Sequence, residues 1–503
     1  MKIEIYRPYE MKITTKDINN YEADSKITAI FEHQGQQVVV NAFSDADENK
    51  VIRYMPKLLG EWIVKVYHNE KHLEKFNQTF SCVAAISHNN HGPVKVQNQT
   101  YFAYEDNFPY QPFGTTCYAW AQQKPAWIRE TLETLRRQSF NKIRMCVFPK
   151  SYDYNNAEPE CYPFKVIRRM DNGVPEFDFD QINPSYFEMI ESRIIELDTL
   201  GIEADLILFH PYDRWGFAHM SHKQDLAYLD YVVARFASFK NIWWSMANEY
   251  DLMTKTHQQW DELCRSVFLN DPSNHLLSIH NFFDPPVHYD NILNWYDHRK
   301  PWITHLSIQT NNVFQTPYLL EAFKKPVVMD EIKYEGNIQH GWGNQSGEKL
   351  TDDFWKTVVT GGFATHGETF VDYPGTEQPV WWSHGGKLIG ESPARITFLK
   401  ELLEKEQLDY LEPISFYGAT WEMYVGSWNK GAKILCYLSN DRSGFKQFSF
   451  LEEGRSYECQ WIDAWKMVIS DREQDVTKET LLTLPSNSYQ AVLFTRNEEK
   501  SAE

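Results

Sequence analysis

The 503-residue chain has no CxxC pair and no apolar run of membrane-spanning length. Its seven cysteines (Cys82, Cys117, Cys146, Cys161, Cys264, Cys436 and Cys459) are odd in number and scattered. That pattern argues against a disulfide framework or a thiolate zinc site and for reduced thiols. The opening MKIEIYRPYEMKITTKD lacks the apolar stretch of roughly 7–15 residues that a secretory leader needs, so a cytoplasmic protein is expected. Positive charge is also in short supply. Fifty Lys and Arg stand against 69 Asp and Glu, a formal net charge of −19 that repels phosphate backbones and anionic headgroups. Neither nucleic acid nor a membrane is expected as a partner. Solenoid repeats and low-complexity tracts are missing too.

What is present suits a compact protein: 42% hydrophobic and 24% charged residues. The length exceeds what one core supports and predicts two or three domains. Aromatic content is high at 15%, with 17 Trp and 28 Tyr, as expected of surfaces that stack on flat rings such as sugars. Oligomeric state is left open, a homo-oligomer included.

Three segments follow from the periodicity. Residues 1–92 hold short alternating runs such as KITAIFEH, QVVVNAF and EWIVKVYHN, which predict an immunoglobulin-like β-sandwich, with SHNNHGPVKVQN (87–98) as the linker. Residues 93–406 alternate short apolar runs with helix-length amphipathic stretches, the pattern of a (β/α)8 TIM barrel. Eight runs are found: 113–120, 141–148, 204–210, 241–249, 276–281, 303–309, 326–331 and 361–368. Between them Phe187, Ile190, Ile194 and Leu197 share one helical face, as do Leu226, Leu229, Val233 and Phe236. A last helix is expected at 393–406, capped by Ser392. Residues 407–503 return to strand-like runs and predict a second β-sandwich, ending in a charged tail. The fold class is α/β, a barrel flanked by two sandwiches.

Catalytic groups of a parallel barrel project from the C-terminal strand ends. Those ends are unusually polar: Arg144 on run two; His210, Tyr212 and Asp213 after run three; Asn248 and Glu249 on run four; His280 and Asn281 on run five. Gln309 ends run six, Asp330 and Glu331 end run seven with Tyr334 beyond, and His366 and Glu368 end run eight. Cleavage of a glycosidic bond with retention needs two carboxyl groups roughly 5–5.5 Å apart. Glu249 and Glu331, on opposite sides of the mouth, supply such a pair. Strand alternation is expected to turn Asp330 away from Glu331, and Glu335 is expected in the loop, salt-bridged or solvated. Trp120, Trp215, Trp342, Trp381 and Trp382 follow strand ends and are candidate sugar platforms, Trp120 and Trp382 foremost. His210 and His280 are expected to bond sugar hydroxyls or orient catalytic groups, and His305, which lies mid-strand, is expected to be a satisfied core residue.

The segment WWSMANEYD (243–251) resembles the strand-four Asn-Glu motif of the clan A glycoside hydrolases, and VVMDEIKYEGN (327–337) resembles their strand-seven nucleophile segment. With ADLILFHPYDRWGF and HLSIQ, the chain is similar to bacterial glycosidases that carry an immunoglobulin-like N-terminal domain and are related to the apiosidase-like enzymes. The resemblance implies Glu249 as general acid/base, Glu331 as nucleophile, Asn248 as partner of the hydroxyl beside the anomeric carbon and Arg144 as holder of the nucleophile. Strand eight departs from the pattern: it ends THGETF, where many clan members have a sugar-stacking Trp, and Trp381 or Trp382 would replace it. The expected activity is retaining hydrolysis of oligosaccharides without a cofactor or metal. The alternatives are a carbohydrate-binding protein on an inactive barrel and a metal-dependent barrel hydrolase using the strand-end histidines.

Overall fold

The computed structural model describes all residues except 19–20, 22–24, 156–157, 172, 285–294, 372–379, 416–421 and 498–503. Part of the SFYGATWEMYVGSW run and of the charged tail therefore lies outside the described residues.

All eight runs form parallel strands of one sheet: β1 (Phe113–Thr116), β2 (Lys142–Cys146), β3 (Glu203–Phe209), β4 (Ile242–Ala247), β5 (Leu277–Ser278), β6 (Leu306–Gln309), β7 (Val327–Glu331) and β8 (Phe363–His366). Their order is β5-β4-β3-β2-β1-β8-β7-β6. A parallel bridge between His280 and Ser307 joins the two outer strands and closes the barrel. Helices fall between the strands where the sequence supplies start and stop signals. Pro125 and Pro184 open two of them at positions where the missing N–H costs nothing. Ser221 with Gln224 and Thr256 with Gln259 form capping boxes on two more. Gly201, at φ +70°, ends the second helix in the left-handed region that glycine tolerates. Phe187, Ile190, Ile194 and Leu197 are fully buried, as their spacing predicts. The last helix begins one residue earlier than expected, and Ser392 lies inside it rather than capping it.

The barrel interior is layered. At the bottom Trp243, Val328 and Phe363 meet Val94, Phe102 and Tyr110 of a small three-stranded sheet at residues 94–110. The tract read as a linker is thus partly strand, Val94–Gln97, and plugs the barrel. Above it lies a charged layer: Lys142 Nζ is 2.7 Å from Asp205 Oδ2 and 2.8 Å from Asp330 Oδ1, all three side chains at most 1% exposed.

Sheet-rich regions stand at both ends. The first packs Tyr9, Phe31, Tyr54, Trp62 and Phe80 between two sheets and meets the barrel through Arg53, whose Nη2 is 2.8 Å from the Glu191 carboxylate. The last is built on a six-stranded sheet that rests on the helix Gly347–Val359, where Asp352 accepts from Tyr437 (3.0 Å) and Ser439 (2.6 Å). Backbones approach closely at this seam: a Cβ on Gly426 would lie 2.1 Å from the Val359 carbonyl oxygen. Gly426→Ala is therefore expected to destabilise the protein by about 1–3 kcal/mol, read as a lowered urea midpoint. All seven cysteines are free thiols. Among the described residues no helix is long and apolar enough to cross a membrane.

Candidate active site

The C-terminal strand ends surround a pocket of about 610 Å³, counting its open mouth. Glu249 and Glu331 face each other across it. Each carboxyl is set by a local departure from regular strand geometry. On β7 the register with β6 shifts, Ile308 pairing with Met329 and Gln309 with Glu331. Such a bulge re-aims side chains. Asp330 points into the barrel, where it accepts from Ser307 and Thr365, and Glu331 turns over the mouth. The expectation that Asp330 points away is corrected: it lies beneath Glu331, in the charged layer. On β4, Glu249 follows the strand at φ +53°, a left-handed conformation that is costly for a residue with a Cβ and concentrates at functional sites.

One oxygen of Glu331 is heavily engaged. Its Oε1 accepts from the Tyr118 hydroxyl and lies 3.3 Å from both Arg144 Nη1 and His280 Nε2. Burial alone would raise this carboxyl; the His280 hydrogen bond and charge, Arg144 and Tyr118 outweigh it and hold its pKa at about 2. Arg144, fully buried, also donates through Nη2 to Asn248 Oδ1 at 2.9 Å. That contact fixes the Asn248 amide with its Nδ2 unpartnered among the described residues and its side chain on the pocket wall.

Glu249 has the opposite environment. Burial and the facing Glu331 charge push its pKa up to about 7, against the pull of Lys150 and the Tyr212 hydroxyl. Its Oε2 is buried without a partner among the described residues. The Gln309 amide, oriented so that both ends are satisfied, places its nitrogen 3.1 Å from Glu249 Oε1 and 3.3 Å from Glu331 Oε2. Asn281 clasps the Gln309 backbone, accepting its N–H (3.2 Å) and donating to its carbonyl (3.0 Å).

Of the residues singled out from the sequence, Asn248, Tyr212, Gln309, Tyr334, Trp342 and Trp382 line the pocket with the two glutamates. Arg144, His280 and Asn281 stand directly behind it. His210 is also behind, its Nε2 3.3 Å from the Phe148 carbonyl, and burial pushes its pKa down to about 3, so it is neutral. Three expected substrate contacts are displaced. Trp120 is 0% exposed in the helix-side core. Asp213 accepts the backbone N–H groups of Trp215 and Ala218 and staples its own loop. Glu368 does not line the pocket and instead accepts from the backbone N–H groups of Ile389 and Gly390. Trp215 and Trp381 also pack in the core. Glu335 is buried rather than solvated, accepting from the Glu391 and Ser392 amides. With His366 and Glu368 it makes a buried trio outside the pocket. The sequence reading missed Tyr118, Lys150, Tyr152, Phe282 and Lys333, all on the wall.

A family model described as "Apiosidase-like, catalytic domain" matches residues 96–407, and a domain of unknown function, DUF5605, matches residues 421–495. No curated protein matches the chain. A candidate glycoside hydrolase of Bacteroides vulgatus ATCC 8482 is 31% identical over 99% of this chain and 100% of its own, with a TM-score of 0.88. A glycoside hydrolase family 5 protein from the same organism shares the fold at 15% identity, covering 81% of this chain and 94% of its own, with a TM-score of 0.61.

Proposed function

We propose, from the premise that the chain belongs to the apiosidase-like family and is a glycosidase, that it cleaves O-glycosidic bonds of oligosaccharides with retention, through Glu249 and Glu331. The observation that carries this reading is the shared Gln309 nitrogen. Two carboxyl oxygens within hydrogen-bond reach of one nitrogen are closer than the roughly 6.5–9.5 Å that inverting enzymes leave for a water, and suit the roughly 5–5.5 Å of retaining ones.

Roles follow from the environments. Glu331, held ionised, attacks the anomeric carbon through Oε2, because Oε1 is occupied by Tyr118, Arg144 and His280. Glu249, protonated near neutrality, gives its proton to the departing oxygen as the C–O bond breaks. The product is a glycosyl ester on Glu331 and a released alcohol. Glu249, now a carboxylate, takes a proton from water as that water attacks the anomeric carbon and frees Glu331. Asn248 Nδ2 is the free donor for the hydroxyl beside the anomeric carbon, and Trp382 and Trp342 supply ring faces. Arg144, His280 and Asn281 act as positioning residues. The chemistry described needs no cofactor.

The same reading takes residues 1–92 and 407–503 as domains that wall a catalytic domain at 93–406. With Tyr152, Lys333 and Trp342 contributed by the loops after β2 and β7, it favours exo-action on short glycans. The free thiols favour a cytoplasmic enzyme acting on oligosaccharides taken up by the cell.

The pH profile tests the acid/base assignment. The reactive form has Glu249 protonated and Glu331 ionised. Activity should therefore fall above a pKa near 7 and below one near 2, so kcat/KM is level through mildly acidic pH and has an alkaline limb near 7. With an aryl glycoside whose departure is assisted by the proton in the wild type yet remains measurable without it, Glu249→Gln should abolish that limb. An alkaline limb unchanged in Glu249→Gln would remove Glu249 from the role.

A further inference from the structure

Three side chains that the reaction above does not use meet at the start of the last barrel helix, Ser392–Lys405. Glu335 lies in the loop after β7, His366 ends β8 and Glu368 follows it by two residues. A short parallel ladder, Glu335 with Glu368 and Gly336 with Thr369, holds the two glutamates side by side. One nitrogen of His366 and one carboxylate oxygen of each glutamate lie within 4.8 Å of one another. Glu335, His366 and Glu368 are 2%, 0% and 1% exposed, and none of them lines the sugar pocket.

Two carboxylates buried together need a counter-charge. Among the described residues neither is paired with Lys or Arg; Glu335 accepts from the amides of Glu391 and Ser392 and from the Ser392 hydroxyl, and Glu368 from the amides of Ile389 and Gly390. The helix N-terminus contributes roughly half a positive charge, against two negative ones. The shortfall shows at Glu368, whose carboxyl is pushed up to about 7 by burial and further by Glu335, against the pull of the two amides.

His366 does not supply that charge. Burial pushes its pKa down to about 3, so the ring is neutral. Its Nδ1 lies 3.1 Å from the Thr115 hydroxyl and its ring stacks on Phe140, while Nε2 is buried without a partner among the described residues. A neutral imidazole held through one nitrogen is the form that binds a metal through the other. The glutamates keep acceptor capacity too: a carboxylate accepts roughly four hydrogen bonds, and Glu335 takes three and Glu368 two. The backbone beside them is bare. A Cβ on Gly390 would lie 2.5 Å from Glu335 Oε2 and 2.8 Å from Glu368 Oε2, so glycine keeps a side chain out of the point where the two oxygens converge.

We propose that Glu335, His366 and Glu368 bind one divalent transition-metal ion, zinc foremost, which fastens the loop after β7 to the end of β8 and to the last helix. Two carboxylates and one imidazole are a donor set suited to Zn²⁺ or Mn²⁺. Metal–ligand distances of roughly 2.0–2.2 Å require the three atoms to draw together, which the broad terminal torsion of a glutamate permits. The ion is structural: it balances two buried charges and takes no part in the cleavage at Glu249 and Glu331. The loop it fastens is the one that brings Tyr334 and Trp342 to the pocket wall. Nothing in the proposal depends on the mechanism given above.

Metal content tests it. Full-length protein is produced in medium supplied with zinc and manganese, freed of loosely held ions on a chelating resin and analysed by elemental mass spectrometry. About one equivalent per chain is expected to remain. Glu368→Gln, which keeps the shape of the side chain, and His366→Gln should each lose it. The double variant Glu249→Gln with Glu331→Gln, which removes the pocket carboxylates, should retain it. Prolonged treatment with EDTA should lower the Tm of the wild type and leave that of the two ligand variants unchanged. Where neither ligand variant folds, X-ray absorption at the metal edge of the wild type decides: oxygen ligands with a single imidazole at about 2.0–2.2 Å support the site, and sulfur or several imidazoles overturn it. A metal-free wild type would overturn the proposal, as would a full equivalent kept by the folded ligand variants or lost with the pocket pair.

Discussion

Glu331→Ala is expected to lower kcat/KM by at least about 10⁴-fold, because on the proposed double displacement it removes the atom that forms the covalent bond. Glu249→Ala should cost about 10²–10⁴-fold, the usual contribution of a general acid/base, and less on aryl glycosides whose leaving group departs unaided. Azide separates the two roles. On the proposed mechanism the glycosyl ester on Glu331 should still form in Glu249→Ala, and azide, needing no general base, should attack it to give a glycosyl azide of retained configuration. In Glu331→Ala azide can fill the space of the missing carboxylate and attack the substrate directly, giving the inverted azide. Product configuration by proton NMR reads the difference. Both variants near wild-type rate would place the active site elsewhere, and inverted product from the wild type would replace double displacement with a single displacement.

Much of this arrangement was legible because a barrel converts sequence position into height. A residue ending an apolar run lies near the mouth, so Glu249 and Glu331 could be paired although 82 residues separate them (331 − 249). Height, however, is not direction. Trp120, Asp213 and Glu368 are at the right level and turn elsewhere: Trp120 into the helix-side core, Asp213 onto its own loop, Glu368 onto the amides of residues 389 and 390. Asp330 was misread for a related reason. Alternation assumes an unbroken register, and the shift between Ile308 and Gln309 breaks it where the nucleophile candidate stands. Lys150 and Tyr118 were missed because they follow their strands by two to four residues, where the path of the loop rather than strand periodicity decides what reaches the pocket. The plug at 94–110 was hidden for a different reason. Its His, Asn, Gly and Pro residues carry a turn-rich signal that outweighs the four-residue strand inside it.

The charged layer beneath the pocket yields the largest expected effect on stability. Lys142→Met should destabilise the protein by about 3–5 kcal/mol, since it leaves Asp205 and Asp330 facing each other without the ammonium that lies within 2.8 Å of both. In the wild type, burial raises the Asp330 carboxyl, but Lys142, Arg144 and His280 outweigh it and hold it well below the ordinary carboxylate range. Its depressed pKa contributes stability above the unfolded value, and that contribution is lost as pH falls. Without Lys142 the order reverses. Burial and the neighbouring Asp205 raise the pKa above the unfolded value, so the variant is penalised most at high pH and recovers as the carboxylates protonate. Urea unfolding at pH 5 and pH 8 should therefore show a larger deficit at pH 8. The double variant Lys142→Met with Asp330→Asn should regain part of it by removing one stranded charge. Arg144 connects this layer to the pocket: its Nε lies 3.8 Å from Asp330 Oδ1 while Nη1 reaches Glu331. Rearranging Asp330 should move the guanidinium, and Lys142→Met should lose kcat even at temperatures where it remains folded. A deficit equal at both pH values would mean that the two carboxylates find other compensation, and kcat unchanged in the folded variant would mean that the layer supports the barrel without positioning the nucleophile.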